Sequence, residues 1–458
     1  MKKIFVLVIL LFIQSNLFAQ HDFGVSTSNW CGLNGLFLNP ANIADCPYKF
    51  AMDLGSANLG FDNNMGTFNL SGGGSFNYSG ASSLNTIAAY DLHMPLSFMV
   101  SIGDKHSIAF SARLRAMVEF KNFNPNLYDA SSNTSYALSG NPFVAAQNFN
   151  MTAHIWEEVG VSYATVLYDN IKSELKAGVT LKYLGGAVYL SLKGNNINAT
   201  FYNGSDSFTA TNTDVEFASN VVAASNAVGS TGTNLFGNLF GANMGSGFGA
   251  DFGIVYMYRG ENYDYRWDHL GSNNKYKYKL SASVTDIGAI TYPAGTNSKV
   301  SVSGSGTVTG SGLSANANNY TSFKNYALTR GFTVDTSSGA TSVYLPTALI
   351  LSGDFRIIKS FLINTTFLAN MANVQNFGNS YFSQLTITPR VDRPNFCIGL
   401  PITYSMLAND VKVGIGLRIK NLYVGSDDCL GLAGMSAHGL NIYMGGYIAF
   451  AKRGRKLI

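Results

Sequence analysis

Charged side chains recur at alternate positions in this sequence: Arg113 and Arg115 with Glu119, Lys176 and Lys182, Lys277 and Lys279, and Arg418. Even spacing puts each set on one face of a strand. The chemistry open to such a face is ion pairing across an interior or the lining of a water-filled path. Mutual pairing is the expectation here, ahead of a substrate path. Bond-making constellations are missing. The six histidines are scattered, and HExxH, GxSxG, Walker A and EF-hand patterns do not occur. Gly245, Gly247 and Ala250 match a GxGxxA string, but it opens a predicted strand rather than a helix, which disqualifies a dinucleotide site. Asp427 and Asp428 read as a polar turn rather than a cation site, because nothing completes a ligand set. No catalytic residue, metal or cofactor is expected, and the chain reads as non-enzymatic.

The elements that must carry these charges are long and amphipathic. Ile108, Phe110, Ala112, Leu114, Ala116, Val118 and Phe120 alternate with Ser107, Ser111, Arg113, Arg115 and Glu119. The same pattern runs through 173–183, 275–285 and 410–420. Alternation alone suits a soluble sandwich equally well. Length separates the two, since soluble strands cluster near ~5–6 residues and membrane-spanning strands need ~9–11. An antiparallel transmembrane β-barrel follows, apolar side outward, closed so that no strand edge is stranded in hydrocarbon. Counting up and down gives fourteen segments from 50–60 to 439–450, an even number, with short turns on the periplasmic side. The polar stretches 122–150, 193–245 and 288–345 are expected outside, and 66–78 in an outer hairpin. A phase slip at Gly185 and Gly186 predicts a bulge. Pro389 and Pro401 predict bulges or strand ends. Tyr256, Tyr258, Tyr263, Tyr265, Trp267, Tyr443 and Tyr447 are candidate interfacial aromatics.

Composition agrees with an all-β membrane protein. Of 458 residues, 46% are hydrophobic and only 12% charged, about half the charged share of a soluble domain. Lys2 and Lys3, the apolar run 4–13 and Ala19 form a secretory signal over 1–19, with cleavage before Gln20. Without Lys2 and Lys3, 28 basic residues face 26 acidic ones, so the body is nearly neutral. No basic stripe with interleaved aromatics points to nucleic acid. The divisions are then a signal at 1–19, a plug at 20–49, a barrel at 50–451 and a basic tail at 452–458. Export permits disulfides, and Cys31 with Cys46 is the first candidate pair of the four cysteines.

The most distinctive passage is the Gly-, Asn- and Pro-rich stretch 29–53, set before the first spanning segment. Its run Asn39, Pro40, Ala41 resembles the NPA motif near the N-terminus of the long-chain fatty-acid transporter superfamily of outer-membrane barrels. The continuation Asn42, Ile43, Ala44, Asp45 is similar to a Bacteroidota branch known as domain of unknown function 5723. Later passages resemble that branch too: GFGADFGIVYMY at 247–258, LSASVTDIGAI at 280–290, YLPTALILSGDF at 344–355 and LYVGSDDCLG at 422–431. The resemblance implies a fourteen-stranded barrel in outer-membrane lipid, with Asn39, Pro40 and Ala41 in an N-terminal plug. Two roles follow from it: passage of a hydrophobic small molecule, or docking of exported proteins, as in type IX secretion relatives.

Overall fold

The computed structural model describes residues 22–68, 74–76, 82–125, 143–170, 172–202, 207–220, 245–260, 276–296, 298–316, 320–373, 376–433, 435 and 437–452. The expected signal, most of the tail, Tyr263, Tyr265 and Trp267 lie outside these residues. Fourteen antiparallel strands close into a barrel. In chain order they are Tyr48–Asn63, Leu84–His93 continued by Phe98–Ile102, His106–Phe123, Phe143–Asp169, Ser173–Phe201, Gly245–Tyr258 and Tyr278–Tyr292. Then come Thr341–Tyr344 continued by Ala348–Ile358, Phe361–Asn370, Gln384–Arg393, Phe396–Gly399 continued by Ile402–Ser405, Asp410–Val413 continued by Ile415–Ile419, Leu422–Ser426 and Gly439–Ala451. Closure is direct: the first strand pairs with Gly439–Ala451 on one side and with Leu84–His93 on the other.

Alternation sets the wall's two faces. Ile108, Leu181, Ile254, Leu280, Val411 and Ile419 are exposed on the outside, while Arg113, Lys182, Ser283 and Arg418 are buried on the inside. An outward apolar belt around a closed sheet is the arrangement a bilayer requires. The predicted slip at Gly185 and Gly186 is a register shift, with Ile155 opposite Val188 and Trp156 opposite Gly186. Beyond it the odd-numbered Tyr189 and Ser191 turn inward. Pro401 sits between the two halves of its strand, whereas Pro389 stays inside a paired strand opposite Ile363.

Several expectations need correction. The stretches 193–245 and 288–345 are not simply loops. Ser173–Phe201 runs 29 residues and, beyond the bulge, pairs with Ser207–Ser219, which joins Ser298–Thr309 and Phe332–Ser337. Phe201, Phe208, Val300, Val308 and Phe332 give this extension its own core, with the short helices Gly310–Asn316 and Tyr320–Thr329 beside it. Tyr443 and Tyr447 are not interfacial: both are buried inside the barrel. Lys277 is exposed at the short-turn end rather than lining the lumen, because the chain just before Tyr278 is out of phase and turns Tyr276 inward instead. Cys31 and Cys46 are free, buried thiols. The Cys46 Sγ is directed at the Tyr48 carbonyl, 3.2 Å away, and the Ser101 hydroxyl, not at Cys31.

Candidate functional site

Residues 22–47 lie inside the barrel, almost wholly buried. They form two short helices, Phe23–Ser26 and Asn34–Leu38, and a 3-10 turn, Pro40–Ile43. The sequence explains the turn. Pro40 supplies the fixed φ of a first helical position, and the Asn39 Oδ1 accepts the Ala41 N–H at 2.9 Å as an N-cap. The other end of the same side chain reaches the wall: Asn39 Nδ2 donates to the carbonyls of Ile254 and Ala282 at 3.0 and 3.1 Å. Asn39 thus shapes the turn and ties it to two adjacent strands at once. Ala41 is fully buried against Val255, Met257 and Leu362.

Further ties run around the circumference. Asp427 accepts the backbone N–H groups of Phe23 and Gly24 at 2.6 and 3.1 Å. Asp392 accepts the Ser28 hydroxyl at 2.7 Å and the Asn29 N–H at 2.9 Å. Lys279 donates to the Asn29 side chain, Lys176 to the Ala44 carbonyl at 2.9 Å, and Ser283 to the Leu38 carbonyl at 2.6 Å. These contacts satisfy backbone groups that a short, buried, irregular segment cannot pair by itself. Burial raises the Asp22 carboxyl to about 7, and holds Asp427, beyond the end of its strand, well above the usual carboxylate range.

Above the segment the lumen is crossed by a charged layer. Arg113 meets Glu158 at 2.6 Å and Asp91 at 3.1 Å. Arg115 meets Glu158 at 2.8 Å and Asp286 at 2.9 Å, and Lys182 meets Asp286 at 2.7 Å and Asp251 at 2.8 Å. Arg113 also lies over the Phe37 ring of the inserted segment, 4.4 Å from its centroid. Of the predicted cations, Arg113, Arg115 and Lys182 are therefore paired in this layer, with carboxylates that the sequence pattern did not assign. Asp286 sits on the apolar phase of its strand, in step with Leu280, Ala282 and Val284. A register shift beside Asp251 and a left-handed backbone at Asp286 (φ 57°) rotate it inward. A charge on the apolar phase was the signal in the sequence.

Glu119 and Arg418 do not join this layer. Glu119 lies higher and accepts two bonds from Ser380. Arg418 is fully buried at the short-turn end, donating to the carbonyls of Arg393, Pro394 and Lys420. A second buried pair, Arg390 with Asp354, is bidentate at 2.8 and 2.7 Å beside Tyr276. Beyond the charged layer, toward the long loops, the interior becomes apolar: Ile87, Met117, Trp156, Leu184, Ile290 and Tyr292 form one buried cluster. Two cavities, of ≈ 60 and ≈ 80 Å³, flank the inserted segment. At about 10–15 Å³ per water, they are gaps for a handful of waters rather than a passage.

A closed transmembrane barrel whose lumen is occupied by its own N-terminal segment is thus the class that fold and site define. The match to a family model narrows it: residues 40–427 match the Family of unknown function (DUF5723), and the chain belongs to that family. No curated protein matches the chain. Among solved structures, it is similar to the P. putida toluene transporter TodX at 9% identity, covering 93% of this chain and 95% of that one, with a TM-score of 0.42. The Ralstonia pickettii toluene transporter TbuX is similar at 10% identity over 95% and 99%, TM-score 0.41. A Pseudomonas aeruginosa FadL homologue follows at 12% over 95% and 98%, TM-score 0.31.

Proposed function

We propose that this protein is a gated outer-membrane barrel that passes a hydrophobic small molecule, with residues 22–47 as its plug. The observation that carries the reading is the apolar, aromatic layer inside the barrel. Barrel interiors are ordinarily polar, and burying Ile87, Met117, Trp156, Leu184, Ile290 and Tyr292 on the lumen side suits an apolar ligand. Apart from its peptide link to the first strand at Tyr48, the plug is held by hydrogen bonds and packing, so it can move without breaking the wall. Asn39, Pro40 and Ala41 are its seat. The charged layer keeps a resting lumen closed to apolar molecules, because crossing it would strip paired charges of their partners.

The test is uptake of a hydrophobic fluorophore by proteoliposomes containing the full-length protein. Uptake above that of protein-free vesicles is expected, with no gain for a charged, sugar-sized solute. Equal rates with and without protein would reject the reading. No observation favours docking of an exported protein, and that reading is not taken further.

A further inference from the structure

The apolar layer is already filled from a second direction. After the Phe361–Asn370 strand the chain turns down into the barrel, and residues 376–383 lie among interior side chains. Phe377 and Tyr381 are buried in the same cluster as Trp156, Tyr189 and Tyr292. The ammonium groups of Lys193 and Lys299 lie 5.3 and 5.6 Å from the Phe377 ring centroid.

Side chains of the wall pin this stretch. The Ser380 N–H and hydroxyl both donate to the Glu119 carboxylate at 2.6 Å, and Lys121 donates to the Ser380 hydroxyl at 2.8 Å. Asn379 Nδ2 donates to the Thr152 carbonyl at 3.1 Å, and Arg115 donates to the Tyr381 hydroxyl. Its backbone ties to the wall are few: a bridge between Tyr344 and Gly378, with the Tyr344 N–H on the Phe377 carbonyl, and the Met406 N–H on the Ser383 carbonyl. A connection on this side ordinarily runs in water. This one places two aromatic rings in the chamber, held by the same kind of side-chain contact that holds the N-terminal plug.

We infer that residues 376–383 are a second closure, in which Phe377 and Tyr381 stand in for an apolar ligand of aromatic-ring size, and that such a ligand binds by displacing them. The inference rests on the proposed passage of a hydrophobic molecule and assigns where that molecule first sits. Each ring buries roughly 150–250 Å² when enclosed, so releasing the loop exposes a ring-sized apolar site lined by Trp156 and Tyr292. Arg115, at the Tyr381 hydroxyl, marks its polar floor.

The experiment is equilibrium binding of N-phenyl-1-naphthylamine, a neutral aromatic fluorophore, to the folded full-length protein in detergent. Three proteins are compared: the natural chain, F377A/Y381A, and S380A, which keeps both rings and removes the Ser380 hydroxyl contacts. A loop closed ten to one lowers apparent affinity by about tenfold. The double variant should therefore bind about tenfold more tightly and S380A several-fold more tightly. In the natural chain, probe binding should speed hydrogen exchange at the amides of residues 377–381. Equal affinity in all three proteins, or slower exchange with probe, overturns the second closure and leaves the passage reading standing. No binding by any of the three folded proteins overturns the chamber and, with it, both readings.

Discussion

Gly178 and Pro40 meet backbone to backbone: a Cβ on Gly178 would stand 2.5 Å from the Pro40 carbonyl carbon. The same turn also presses on Gly253, where a Cβ would fall 2.7 Å from the Asn39 Cγ. Two glycines on neighbouring strands thus form the recess into which the Asn39–Pro40–Ala41 turn fits. Gly178→Val should unseat the plug while the barrel still assembles, at about 1–3 kcal/mol, the usual cost of overpacking. Bilayer conductance reads this directly, with a higher open probability expected for the variant. A heat-modifiable gel shift confirms that the barrel is intact.

Asp427 holds the far end of the plug by accepting two backbone N–H groups. Asp427→Ala leaves both donors buried without that acceptor and should weaken seating by roughly 1–3 kcal/mol. The expected result is faster proteolysis near Phe23 with unchanged thermal stability of the barrel.

Seating should depend on pH through Asp22. Its carboxyl is raised to about 7 when the plug is in place, against about 3.9 for a free side chain. The folded form therefore favours the protonated acid. Its contribution is complete below about pH 4 and is lost as pH rises through about 7. Asp91 and His93 face the same cavity, and Asp427 lies near enough to repel a second charge. Trp30, buried in the plug, reports the effect. In a W156F/W267F background, acrylamide should quench it less at pH 5 than at pH 8, and D22N should remove most of that difference.

The charged layer should show the asymmetry of buried ion pairs. Arg115→Leu leaves Glu158 and Asp286 short of a partner and should cost about 3–5 kcal/mol in urea unfolding from lipid. Arg115→Leu combined with Asp286→Leu should recover part of that loss. Losses that simply add would show that the two residues act independently.

The wall was legible in the sequence because a strand's period of two is strict. Fourteen segments could be counted, and the bulge at Gly186 could be placed from a break in that period. What escaped was whatever interrupts it. Asp286 enters the lumen through a bulge, Tyr276 through an irregular strand start, and the loop at 376–383 by tertiary packing that no local pattern encodes. Asn39, Pro40 and Ala41 were visible as a motif, but their partners Gly178 and Gly253 were not, since a glycine in a strand does not say what approaches it. The Cys31–Cys46 pairing failed because proximity in sequence says nothing of where two thiols point.

The central claim is that the plug must move for passage to occur, and a single substitution can forbid that movement. Ser28, in the plug, donates to Asp392, the cross-strand neighbour of Cys397, which is buried in the wall. Ser28→Cys sets two thiols against each other so that oxidation staples the plug to the barrel. The measurement is uptake of a hydrophobic fluorophore by S28C proteoliposomes, oxidised and then reduced. The account predicts that uptake stops on oxidation and returns on reduction. Undiminished uptake through the stapled barrel would contradict it.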